Sequence, residues 1–77
     1  MKKLTLSCGQ FTVRVSVYAN RLDTAINGQN VPMMPVAAAS GAKYEGISGD
    51  VALSLWSKGE TWMMLINENQ VIECRVN

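Results

Sequence analysis

Three observations predict an all-β fold: apolar residues recur with a period of two, turn residues separate these runs at hairpin spacing, and helical periodicity is nearly absent. The turn signals divide the chain into about seven to eight short antiparallel strands. A sheet of that length in 77 residues curls and closes on itself, which removes its edges. The predicted architecture is therefore a small antiparallel β-barrel, with residues 1–77 as a single domain.

Residues 3–8 alternate up to a turn at Gly9-Gln10. Phe11, Val13, Val15 and Val17 then line one face of the clearest strand, with Thr12, Arg14, Ser16 and Tyr18 on the other. Leu22, Thr24 and Ile26 continue the alternation up to Asn27-Gly28, a hairpin pair in which both residues tolerate positive φ. Val31, Met33 and Pro35 fall on one face of the next segment. Pro32 and Pro35 lack amide donors, which predicts an edge or irregular strand. Ala37 to Ala42 reads as a loop or strand end, and Lys43–Gly46 as a short strand fragment. After Gly49-Asp50, Val51, Leu53 and Leu55 alternate with Ala52, Ser54 and Trp56. A turn at Lys58-Gly59-Glu60 leads to Trp62–Ile66, which reads as a strand buried on both faces. Glu68-Asn69-Gln70 turns into the closing strand Val71–Val76. No internal repeat, low-complexity tract or linker stands out.

Composition narrows the function classes. A net charge of +1, with charges spread along the chain, gives no basic stripe or basic–aromatic platform for nucleic acid. No apolar run approaches the roughly 18 residues of a spanning helix. There is no histidine, the usual general base at neutral pH. Glu45, Asp50 and Glu60 have the spacing of solvated turns, not of a catalytic carboxylate pair. An enzyme is not expected, and neither a metal site nor a cofactor is predicted.

Cys8 shares the phase of Leu4 and Leu6, and Cys74 that of Ile72 and Val76, so both are expected to point inward from the first and last strands. An even cysteine count in a small exported domain favours a disulfide over two separate buried thiols. Met1-Lys2-Lys3 has the charge of an export-signal start, but the apolar segment after it is too short. Leu4 to Cys8 has the outline of a lipoprotein cleavage box, yet it alternates as a strand does. The expectation is a mature or trimmed chain whose export signal is missing.

Two segments suit recognition. Ser40 can both donate and accept hydrogen bonds, Gly41 allows close backbone approach, and Ala42 adds little bulk. Lys43 follows, and Tyr44 is placed to brace the loop on the barrel. Lys58 and Gly59 form a cationic hairpin turn that offers a second polar contact. The bland readings are a small-residue turn and a solvated charged turn. Trp56 and Trp62 are expected as core anchors. The pairs Met33-Met34 and Met63-Met64 are expected to fill core gaps, with one member of each turned outward. Apolar residues on the proline-containing segment offer a surface for a homodimer.

Taken in order, Cys8-Gly9, Val13-Arg14-Val15, Asn27-Gly28, Ser40-Gly41-Ala42-Lys43-Tyr44, Trp56-Ser57-Lys58-Gly59-Glu60 and Cys74 resemble the motif series of the MliC/PliC family. Its members are periplasmic or membrane-bound inhibitors of c-type lysozyme. Each motif alone is weak, but the ordered set covers almost the whole chain. The chain departs from the family pattern in a longer Tyr44–Trp56 interval, in Trp62 where a small residue is usual, and in Leu6 where an aromatic is usual. The resemblance implies an eight-stranded barrel, a disulfide corresponding to Cys8–Cys74, and a periplasmic or outer-membrane-associated protein with c-type lysozyme as partner. It further implies that the Ser40 loop enters the lysozyme cleft, with Lys58 adding a contact and Tyr44 supporting the loop. The competing class is a ligand-binding or structural β-barrel of the bacterial envelope.

Overall fold

The computed structural model describes residues 2–77. Met1, the first residue of the Met1-Lys2-Lys3 start, lies outside the described residues. Eight strands follow in order: β1 (Lys2–Cys8), β2 (Phe11–Val17), β3 (Leu22–Ile26), β4 (Gln29–Val36), β5 (Ala42–Ser48), β6 (Val51–Lys58), β7 (Thr61–Ile66) and β8 (Gln70–Val76). Each pairs antiparallel with the next, and β8 returns to pair with β1, closing the barrel. The fold is all-β, as the alternation predicts, and the disulfide joins Cys8 to Cys74 where β1 meets β8.

The inward phase of the strands makes the core. Leu6, Val13, Leu22, Met33 and Leu55 are fully enclosed, joined by Val15, Val31 and Met64. Burying a side chain of this size stabilises by about 1.5–3 kcal/mol relative to exposure, so the interior is the main source of stability. Thr24 is the polar member of this layer, and its hydroxyl donates to the Val31 carbonyl at 2.6 Å. That bond offsets the cost of burying a hydroxyl.

Several segments differ from their sequence reading. The proline-containing strand β4 is not an edge, because it pairs with β3 on one side and β5 on the other. The pairing with β5 spans only Met34–Val36, so Pro35 lies within it and Pro32 outside it, which keeps the irregular half of the expectation. Pro35 is exposed and does not continue the buried face of Val31 and Met33. The fragment expected at 43–46 is a full strand, β5, reaching Ser48. β7 is not buried on both faces: Trp62 and Met64 face inward, while Met63 and Leu65 are half-buried on the outside. The methionine pairs split as expected, with Met33 enclosed and Met34 exposed.

Gly46 explains how β5 fits against β4. It occupies the inward phase opposite Leu53, and a Cβ there would lie 2.5 Å from the Pro32 carbonyl oxygen and 3.0 Å from Met33 Cγ. The missing side chain lets the two strands close together.

A repeat is present in the pairing geometry although the sequence hides it. An offset of 40 residues carries the pair Val13↔Ile26 onto Leu53↔Ile66 and Val17↔Leu22 onto Ser57↔Trp62. Asn27 donates its N–H to the Thr12 carbonyl and accepts the Thr12 N–H on Oδ1. Asn67 makes the same two bonds with Ala52. Both asparagines have positive φ, 49° and 51°. The barrel is thus two four-stranded halves, β1–β4 and β5–β8. Within each half, neighbouring strands share five to seven register pairs. At the joins, β4–β5 and β8–β1, they share three. The disulfide spans one join, and the chain crosses the other through residues 37–41.

Candidate functional site

Residues 37–41 connect β4 to β5, and all of them are exposed. Three alanines and a serine give this loop little bulk, so it stands open to a partner. The register Ala42↔Ser57 brings its last residues beside the end of β6. Gly41, at φ +72°, lies against the backbone there: a Cβ would overlap the Ser57 carbonyl oxygen and sit 3.2 Å from Lys58 Cα. The Ser40–Ala42 segment and the Lys58–Gly59 turn are therefore adjacent in space, despite the long interval between Tyr44 and Trp56. That interval is taken up by the β5–β6 hairpin, whose turn lies at the opposite end of the barrel.

Ser40 is exposed, and its carbonyl accepts a hydrogen bond from Trp56 Nε1 at 2.9 Å. Its hydroxyl makes no hydrogen bond to the described residues. The loop is thus held through its backbone, and the Ser40 side chain is exposed. Lys58 closes β6 opposite Thr61, exposed and outside any ion pair among the described residues. Gly59 turns the chain at φ +62°. Together these groups offer a hydroxyl and an ammonium on one rim of the barrel.

Tyr44 is half-buried and packs on the hydrophobic core, between Pro35 on β4 and Leu55 on β6 in register. It sits two residues beyond Ala42, where a ring can support the loop from below. Lys43 points to the outer wall. Its ammonium lies 3.8 Å from Glu45 Oε2 and 3.9 Å from Glu68 Oε1, and its side chain is 24% exposed. Its charge is engaged there and is not part of the free rim.

Trp56 departs from the sequence expectation of a core anchor. It has the phase of Ala52 and Ser54, opposite to Leu53 and Leu55, and lies half-buried on the outside between Lys43 and Met63 in register. Trp62 does enter the core. The strand alternation already put Trp56 on the outer face, and only its aromatic character suggested the interior. Its bond to the loop had no separate signal in the sequence.

The rim offers a hydroxyl and an ammonium but no imidazole, since the chain has no histidine. Fold and rim together define a disulfide-closed β-barrel that presents a loop. The model of the MliC family, described as membrane-bound lysozyme-inhibitor of c-type lysozyme, matches residues 7–70. The chain belongs to this family of lysozyme inhibitors, with c-type lysozyme as the family's partner and the cell envelope as its place of action. The match takes in both candidate segments and ends just short of Cys74. Neither the search of curated proteins nor that of solved structures gave a match.

Proposed function

We propose that this protein inhibits c-type lysozyme by inserting the Ser40-Gly41-Ala42 loop into the enzyme's active-site cleft. The observation that carries the reading is the tethered Ser40, whose carbonyl is tied to Trp56 at 2.9 Å while the side chain stays exposed. Lysozyme works with one carboxyl protonated and one ionised. A serine hydroxyl accepts from the first and donates to the second. Lys58, beside Gly41, adds a charge-assisted bond to an ionised carboxylate. Such a plug takes the place of the substrate and presents no glycosidic bond to cleave. Gly41 and Ala42 give it access, Tyr44 braces it, and Gly59 shapes the turn that offers Lys58.

The decisive assay is lysozyme-driven lysis of a peptidoglycan suspension, with and without the protein. Slowed lysis supports the reading, and unchanged lysis at large molar excess over several c-type lysozymes refutes it. Ser40→Ala and Lys58→Ala are each expected to weaken inhibition without lowering the melting temperature. A normal inhibition constant for both would move the contact site elsewhere. The periplasm or outer membrane is the proposed location. Met34 and Ile47, both exposed on neighbouring strands, supply the surface for the proposed homodimer, which sedimentation measures directly.

A further inference from the structure

We infer that Trp56 is a positioning residue for the inhibitory loop, acting through the Ser40 carbonyl. This rests on the reading of Ser40 as the contact residue, although part of its test does not. The β4–β5 join has three register pairs and no disulfide, and the loop that links the two strands leaves the barrel there. A connection of small residues at such a place samples many conformations unless something fixes it, and each residue fixed only on binding costs about 1–2 kcal/mol. Two contacts fix it in advance. Gly41 rests on the Ser57–Lys58 backbone, and the Trp56 indole N–H holds the Ser40 carbonyl at 2.9 Å.

The direction of that bond is what makes it useful. It occupies the Ser40 carbonyl and leaves the hydroxyl free, so the group meant for the partner is not consumed in holding the loop. Trp56 itself stands on β6 with neighbours paired on both sides, Lys43 on β5 and Met63 on β7, which gives the donor a rigid base. Pre-organisation of this kind raises affinity by lowering the ordering cost of association rather than by adding contacts. A tyrosine or phenylalanine at the same place has no indole N–H to offer the carbonyl.

Trp56→Phe removes the donor and keeps an aromatic ring on the outer wall. The test has two arms on the full-length protein. The first follows backbone NMR order parameters of residues 39–41 in the free protein. The expected result is a fall from the rigid range, about 0.85, to below about 0.6, with β2 and β3 unchanged. The second measures inhibition of lysozyme for Trp56→Phe, Ser40→Ala and the double variant. Trp56→Phe is expected to weaken inhibition by roughly three- to tenfold, the worth of one neutral hydrogen bond, and to add little in the Ser40→Ala background because it acts through that residue. A merely structural role predicts a general loss of order and additive effects. Unchanged order parameters at 39–41 overturn the inference whether or not the protein inhibits lysozyme. Full inhibition by Trp56→Phe alongside impaired Ser40→Ala also overturns it. Absence of inhibition by the unaltered protein refutes the lysozyme reading instead, and the order-parameter arm still decides the role of Trp56.

Discussion

Gly41 and Ser57 approach so closely that no side chain fits between the glycine and the Ser57 carbonyl oxygen. This contact joins the loop to the end of β6, and it requires both a positive φ and the absence of a Cβ. Gly41→Ala is therefore expected to destabilise by more than about 1 kcal/mol and to displace the loop from Lys58. The measurements are the urea midpoint and the lysozyme inhibition constant. Inhibition is expected to fall further than stability alone accounts for at temperatures where the variant is folded. Unaltered values for both would mean that the loop does not need this contact.

The disulfide is expected to decide whether the barrel stays shut. Cys8 and Cys74 are 66 residues apart in sequence, and β8 contributes no fully buried side chain. In the chain-entropy model a bridge of this span stabilises by about 4 kcal/mol, a large share of what a domain this small has available. Reduction, or Cys8→Ser with Cys74→Ser, is expected to lower the melting temperature by on the order of 20 °C. Trp62, paired with Cys74 in register and 9% exposed, should report the change through red-shifted emission. An unshifted melting curve and emission maximum would show that the three pairs of this join hold without the bridge.

The matched asparagines give a prediction that compares one half of the barrel with the other. Asn27 and Asn67 each hold a left-handed backbone and accept a hydrogen bond from the start of the neighbouring strand, from Thr12 on β2 and Ala52 on β6. Alanine at either site loses that bond and strains the backbone, a cost of about 1–3 kcal/mol. The two variants are expected to have urea midpoints lowered by similar amounts, with unchanged m-values. A loss at only one of them would break the equivalence of the halves.

Much of this barrel can be read from the sequence because strand alternation reports which side chains go inside. Val13, Val15, Leu53 and Leu55 lie in the core on the phase that their pattern gives. The disulfide followed from the same phase argument, together with the family motifs. Trp56 is hard to read because its aromatic character points to the core while its strand phase points outward. The missing amides of Pro32 and Pro35 suggest an edge or irregular strand; β4 is paired on both sides and so no edge, but its pairing with β5 is limited to Met34–Val36. The repeat was hidden because pairing geometry needs only turns of matching length and inward residues at matching places. Val17 and Ser57, or Leu22 and Trp62, hold equivalent positions with unlike chemistry. The nearness of Ser40 to Lys58 follows only from the β5–β6 register, which no single motif encodes.

Of the two joins between the halves, one is locked by sulfur and the other carries the candidate loop. The division separates what keeps the molecule intact from what meets the outside. Residues 37–41 function as a bridge between two hairpin pairs that complete most of their bonding internally. Lengthening such a bridge is cheap, since doubling a flexible connection costs only about 0.6 kcal/mol. The loop end can therefore be rewritten, in size and in chemistry, on a scaffold whose closure lies on the opposite wall and is left untouched.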